Sequence, residues 1–204
     1  MIQLFITELK QQLSQTTLFE WLGVSLGILQ VWFAKSNKPI NYLFGIAGIL
    51  VTIYVLLHAK LYAEILLHIY YLVMSVYGWL YWKNSSTQNQ EITSSDAADW
   101  RVVIGICVVG FLVFYFGLVH LTDSDVPLWD SFVSCTAWAG MWLLAKRKIE
   151  NWILLNISNF FAIPLLLHKG LALYALLTLF LFVMAFFGYF KWKKLLTKNN
   201  QYAY

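Results

Sequence analysis

Charged side chains make up only 12% of the 204 residues, about half the ~25% of an ordinary soluble domain. That shortage excludes a water-soluble enzyme of the Rossmann or barrel kind. With 60% hydrophobic and 18% aromatic residues and a mean hydropathy of +0.66, the chain reads as an integral membrane protein. Cysteine is almost as scarce: Cys107 and Cys135 both fall inside apolar runs and say little about redox compartment. The sequence also lacks a glycine-rich phosphate loop, histidines at ligand spacing, and a nucleophile–base pair, so no catalytic residue, metal or cofactor is expected and ATP-driven transport by this chain alone is excluded. Met1 to Leu18 lacks the basic flank and continuous apolar core of a signal peptide. Its spaced apolar residues (Ile2, Phe5, Leu9, Leu13) with Glu8 and Lys10 suggest an amphipathic helix lying in the interface. The net charge of +4 reads as loop charge at an anionic lipid surface and not as a nucleic-acid footprint.

What is present is a series of apolar runs cut by charges and turn residues. Seven segments result, roughly 21–34, 42–57, 61–82, 101–121, 130–145, 151–168 and 170–192. Each is expected to be helical, because lipid leaves the backbone of an open strand without partners. Comparing residue i with i+110, without a gap, pairs Trp32 with Trp142, Lys38 with Lys148, Asn41 with Asn151, His58 with His168, Gly78 with Gly188 and Trp82 with Trp192. Matched Trp, His and Gly in one frame point to a duplicated three-helix unit with an unpaired middle helix. Because three is odd, the middle helix returns the second copy to the orientation of the first. The expected fold is all-α, seven transmembrane helices in a 3+1+3 parallel repeat of the SWEET kind. The chain then divides into an amphipathic segment (1–18), a first repeat (19–83), a linker with the connecting helix (84–129), a second repeat (130–194) and a tail (195–204). Eleven of the Lys and Arg residues fall on one side of the expected bilayer and three (Lys10, Lys60, Lys169) on the other. The excess of positive charge places the N-terminus outside and the C-terminus in the cytoplasm. The polar stretch Asn84 to Asp99 is then a flexible cytoplasmic connector by composition.

Polar side chains within spans are costly unless they face protein or water. Glu64, His68, Tyr71 and Ser75 recur at steps of four, three and four in the third span, and Trp152, Asn156 and Asn159 do so in the sixth. Each set shares one helical face. Taken singly, such residues serve as interhelical hydrogen-bond partners. Together, beside Trp138 and Ser134 of the fifth span, they point to a solute cavity. The expected binding residues are His68, Tyr71, Trp138, Trp152, Asn156 and Asn159, with Glu64, Ser75 and Ser134 along the gate or path. Spans one and five are short and occupy equivalent places in the two copies, which also points toward the substrate path. Trp21, Trp82, Trp100 and Trp192, at span ends, are read as interface anchors. Without a ladder of deep carboxylates, His68 aside, a passive gated carrier is the simplest mechanism. A receptor that binds without transporting is the alternative from another class.

Over residues 18–194 the chain resembles the PnuC family of bacterial nicotinamide riboside transporters and their vitamin-transporting relatives. The likeness is carried by LYAEILLHIYYLVMSVYGWLYW (Leu61 to Trp82), LLAKRKIENW (Leu143 to Trp152) and GYFKWKK (Gly188 to Lys194). The resemblance implies a 3+1+3 fold in the bacterial inner membrane, one central site, and facilitated diffusion of a vitamin that a cytoplasmic kinase phosphorylates and traps in the course of NAD biosynthesis. Where family members usually carry Gln, Trp and a second Trp, this chain has His68, Tyr42 and Leu155. The implied ligand is a small aromatic cation: nicotinamide riboside, with thiamine or another vitamin of the same type as the alternative. Trp152, Tyr71 and Trp138 would hold its ring by stacking and cation–π attraction, and Asn156, Asn159 and His68 its hydroxyls. The lipid bilayer is the other expected partner, and a homo-oligomer is left open.

Overall fold

The computed structural model describes residues 10–11, 13–14, 16–58, 62–84 and 91–202. The N-terminal segment therefore lies mostly outside the described residues, although 10, 11, 13 and 14 are helical. Seven long helices follow: α1 (Leu18–Lys35), α2 (Asn41–His58), α3 (Tyr62–Asn84), α4 (Ala97–Leu121), α5 (Pro127–Ala145), α6 (Asn151–His168) and α7 (Ala172–Tyr202). By length and composition α4, α6 and the Ala172–Lys198 part of α7 can each cross a membrane, and Asn41–Leu57 of α2 is a shorter apolar helix.

The helix starts follow from local chemistry. Thr17 and Glu20 form a reciprocal capping box ahead of α1, the Thr17 N–H donating to Glu20 Oε2 at 2.7 Å and the Glu20 N–H to Thr17 Oγ1 at 3.3 Å. Asp96 and Asp99 do the same for α4 at 3.1 and 2.8 Å. The backbone N–H of Asp99 holds the Asp96 carboxyl below its ordinary range. α5 begins with Pro127, whose missing N–H costs nothing in a first turn.

These starts revise one expectation. Spans one and five are not short: α1 has 18 residues and α5 has 19. Glu20 and Asp130 lie inside first turns, where the helix dipole favours an acid, and do not end the helix. α7 runs about three turns past the expected end at residue 192, because its exposed lysines are good helix formers and need no lipid.

Among the described residues, α1 packs on α2, α2 on α3, α3 on α5, α5 on α6, α6 on α7, and α7 back on α1. Six helices thus close a ring. α4 stands outside it, packed along α5 and barely touching α3.

Matched details recur 110 residues apart. The α1–α2 and α5–α6 turns each end in a left-handed residue, Asn37 (φ 53°) and Arg147 (φ 55°). In both turns the next N–H reaches back to the helix, Lys38 to Phe33 O at 3.1 Å and Lys148 to Leu143 O at 2.9 Å. This is the αL way of ending a helix, normally given to glycine or asparagine, so Arg147 adopts it against its preference. In both turns an asparagine then donates from its side-chain amide, Asn41 to Lys38 O at 2.7 Å and Asn151 to Lys148 O at 2.6 Å.

Two of the expected interface anchors are nothing of the kind. Trp82 and Trp192 are fully buried, and each reaches a carbonyl at the end of a helix in the other half: Trp82 Nε1 donates to Ala145 O at 3.1 Å and Trp192 Nε1 to Ala34 O at 3.2 Å. The rings sit 5.9 Å apart, with the Arg147 guanidinium 4.6 Å from Trp82. Trp21 and Trp100 remain exposed, as anchors should be.

The connector is also more ordered than its composition suggests. Residues 85–90 lie outside the described residues, but Ile92 is buried in the cluster containing Trp82, Trp192, Ala34 and Leu144. Thr93 pairs with the α5–α6 turn, its N–H donating to Arg147 O at 3.2 Å and its carbonyl accepting from the Ile149 N–H at 3.0 Å. Ser95 donates from N–H and hydroxyl to Glu150 at 2.9 and 2.7 Å, and Lys148 bridges to Asp99 at 2.8 Å. One apolar side chain and a few backbone bonds are enough to fix a polar stretch.

Close packing inside each half turns on a glycine. A Cβ on Gly78 would come within 2.5 Å of the Tyr42 ring, and one on Gly188 within 2.6 Å of the Trp152 ring. We expect Gly78→Ala and Gly188→Ala each to destabilise the protein by about 1–3 kcal/mol through overpacking. Gly117→Ala, which meets nothing within 4 Å, should be neutral or slightly stabilising. Thermal unfolding in detergent checks all three, and equal melting temperatures would show that the close approach is not rigid.

Candidate functional site

At the centre of the ring lies a cavity of about 310 Å³, lined by all six ring helices and by no residue of α4. The helices leave this space because small residues face it: Gly23 and Gly27 one turn apart on α1, and Gly45 and Gly48 on α2. On Gly45 a Cβ would lie 2.9 Å from the Gln30 amide, so the glycine lets Gln30 lie across the cavity wall.

Four of the expected binding residues meet here: His68 and Tyr71 from α3, Trp152 and Asn159 from α6. The His68 and Tyr71 rings stand edge to face at 5.7 Å. Trp152 is held on one side by Gly188 and packs edge-on to Trp192 at 5.6 Å. Its indole N–H is buried and has no acceptor among the described residues, a donor that folding has left unused.

The other expected residues are placed elsewhere. Trp138 stands on another side of α5, stacked on Tyr70 at 4.1 Å and edge-on to Phe114 of α4 at 4.5 Å. The Tyr70 hydroxyl donates to its carbonyl at 3.1 Å. Its neighbour Ala137 faces the cavity with Met141 and Leu144, and one residue along a helix is 100° of rotation. Asn156 is half-buried at the edge of the cavity-facing side of α6, its Oδ1 without a partner among the described residues. Ser75 is fully buried and Ser134 half-buried, neither in the cavity wall. Glu64 belongs to α3, but its side chain is outside the described residues.

The sequence reading missed Gln30, Thr52 and Tyr174, which also line the cavity. The signals were there: Gln30 is an amide in an apolar span, and glycines spaced at three or four mark one helix face. Thr52 gave none, since its hydroxyl is already bonded to Gly48 O in its own helix at 3.0 Å.

The wall thus offers aromatic faces, two amides, an imidazole and the hydroxyls of Thr52, Tyr71 and Tyr174, with no Lys, Arg, Asp or Glu among the lining residues described. It suits a planar solute, neutral or singly positive, with hydroxyls. A phosphate dianion would lose its hydration there without a counter-charge. No group of three or more His, Cys, Asp and Glu residues that could hold a metal occurs among the described residues.

At the end of the ring opposite Trp82 and Trp192, charges link the loops. Lys169 donates to both oxygens of Asp130 at 2.6 and 2.8 Å, and the Ser124 hydroxyl donates to the same carboxylate at 2.9 Å. His168 Nε2 lies 2.6 Å from Asp125, whose carboxyl it holds below the usual range.

A polytopic helical chain with a closed ring and a neutral, solute-sized cavity at its centre has the build of a membrane carrier. The family model described as "Nicotinamide mononucleotide transporter" matches residues 17–194, and the chain belongs to that family. It is accordingly a membrane transporter, a multi-pass protein of the inner membrane. The nicotinamide riboside transporter PnuC of Escherichia coli (strain K12) is 23% identical over 181 residues, covering 74% of each chain. The nicotinamide riboside transporter PnuC of Neisseria mucosa is 27% identical over 188 residues, covering 85% of this chain and 71% of that protein. The crystal structure of the vitamin B3 transporter PnuC has the same fold, with a TM-score of 0.72 at 24% identity over 95% of this chain and 90% of that one.

The Asp130–Lys169 pair can be tested by a double-mutant cycle. Asp130→Asn and Lys169→Met should each lower thermal stability, and the double variant should cost less than their sum. We expect a coupling of about 1 kcal/mol, discounted because the lysine is 26% exposed. Strict additivity would mean that the two charges do not sense each other.

Proposed function

We propose that the protein imports nicotinamide riboside by facilitated diffusion, and that a cytoplasmic kinase traps the product by phosphorylation. The observation that carries this reading is the composition of the cavity wall: aromatic rings and amides with no cation. The singly charged pyridinium ring fits against Trp152 and Tyr71, worth about 0.5–2 kcal/mol per cation–π contact. Gln30, Asn159 and His68 supply donors and acceptors for the ribose hydroxyls. The family description names the mononucleotide and the curated relatives name the riboside; a wall without Lys or Arg favours the riboside.

In this reading the two halves are related by an axis along the membrane normal, with the N-terminus outside and the C-terminus in the cytoplasm. The 110-residue pairing of turns, the six-membered ring and the excess of Lys and Arg on the side of the α1–α2 and α5–α6 turns support it. Trp82, Trp192 and Ile92 then close the cytoplasmic end, and the loops at Asp130 and Lys169 lie outside.

One observation keeps thiamine in view. Leu155, against which a Cβ on Gly140 would press at 2.7 Å, lines the cavity where the family usually supplies a second tryptophan. One indole cannot sandwich a ring, and the looser grip suits another aromatic cation with a hydroxyl tail.

Uptake into proteoliposomes tests the proposal. Radiolabelled nicotinamide riboside should enter saturably without an ion gradient and exchange in counterflow, which a receptor would not support. Trp152→Ala should weaken apparent affinity about 2- to 30-fold and Asn159→Ala about 2- to 10-fold. Unaltered transport in both variants would remove the cavity from the pathway, and preference for thiamine or the mononucleotide would replace the substrate.

A further inference from the structure

The weak contact between α3 and α4 leaves a second space, separate from the central cavity and outside the ring. It is an apolar groove of about 440 Å³ with Tyr70 of α3 on one side, Gly105 and Val109 of α4 on the other, and Trp138 of α5 at its floor. Val109 is 61% exposed, and a Cβ on Gly105 would meet nothing within 4 Å. In a membrane-embedded chain this opening faces the lipid.

One end of the groove carries charge. Arg101 precedes Gly105 by one turn on the same face of α4 and is exposed. Lys146, at the end of α5, lies over the Tyr77 and Tyr81 rings of α3 at 5.6 and 5.2 Å. Tyr77 and Tyr81 share the face of Tyr70 about two and three turns along α3, and Arg101 adjoins Val102 of the groove lining, so both cations lie towards the same end of the helices that form the groove. The nearby carboxylate, Asp99, is taken by Lys148 at 2.8 Å. Neither Arg101 nor Lys146 has an ion-pair partner among the described residues.

We propose that this groove binds one anionic phospholipid, an acyl chain lying between α3 and α4 over Trp138 and the headgroup phosphate on Arg101 and Lys146. An apolar slot that ends in basic side chains at the more positive end of the helices is the arrangement that recognises such lipids. A zwitterionic lipid offers the same chain, but its own cation offsets the phosphate and gains less from the two basic residues. The bound lipid would fill the wedge that α3 and α4 leave open. The inference rests on membrane placement and on these residues, and is independent of which vitamin is carried.

The test is lipid retention. Full-length protein reconstituted in vesicles of equal parts phosphatidylglycerol and phosphatidylcholine is extracted in mild detergent, and the lipid left on it is counted by native mass spectrometry. The wild type should keep about one phosphatidylglycerol per chain in preference to phosphatidylcholine. Replacing Arg101→Gln and Lys146→Gln should lower phosphatidylglycerol retention roughly fivefold per charge removed and leave phosphatidylcholine unchanged. Gly105→Phe, at a position where an added Cβ meets nothing within 4 Å, fills the groove from α4 and should remove both lipids. Gly117→Phe, equally open on the same helix and outside the groove, should not. Thermal unfolding of the same samples verifies that each variant is folded. No preference in the wild type, equal retention in all variants, or a dimer that Gly105→Phe disrupts in place of a lipid would each overturn the proposal.

Discussion

Two indole N–H groups join the halves of this protein, and much of the structure follows from where they must go. A buried Trp N–H needs an acceptor, and the last carbonyls of a helix need donors. Trp82 and Trp192 solve both problems at once by crossing to Ala145 O and Ala34 O of the opposite half. The exchange ties α3 to α5 and α7 to α1, the two contacts that turn a pair of three-helix units into a ring. It also fixes the depth at which the ring is closed. Tyr42 and Trp152 pack directly against this cluster, and the cavity begins on its inner side.

The cavity in turn depends on what the wall lacks. Six helices packed through large side chains would leave no space, since protein interiors are close-packed. Here glycines on α1 and α2 draw the wall back, while Gly188 lets the Trp152 ring lie flat against α7. The same economy applies to charge. Every Lys and Arg described within or beside the helices lies away from the lining, so a phosphate placed there would be desolvated without a counter-charge. The indole N–H of Trp152 is left buried beside this space without an acceptor among the described residues.

The sequence made the architecture legible wherever a rare residue had to repeat. Asn41 and Asn151, Trp82 and Trp192, and Gly78 and Gly188 stand in one frame of 110, and each pair occupies matching positions in the folded chain. What that frame could not tell was depth or direction. Hydropathy treats a tryptophan at a span end as an anchor, which agrees with the exposure of Trp100 and not with the burial of Trp82, because the distinction lies in which way the helix is rotated. Trp138 and Ala137 differ by one position and face different spaces for the same reason. Composition misled in the connector, where Ser, Thr and Asp suggested freedom and Ile92 removed it.

That connector makes the two halves unequal. Thr93 pairs only with the α5–α6 turn, although the α1–α2 turn has the same backbone form. An extended segment joined covalently between the repeats can occupy one of two equivalent places but not both. Its choice buries Ile92 in the cluster that holds Trp82 and Trp192 and adds Ser95, Glu150, Lys148 and Asp99 to the closure on one side. Separating the halves at this end would break the two crossing indole bonds and uncover Ile92 together. Each buried N–H that lost its acceptor would cost about 1–3 kcal/mol, whereas at the opposite, charged end Lys169 and Asp130 can exchange their partner for water at smaller cost. With the same backbone form in both turns, the inequality of the two halves at this end comes from the segment between them.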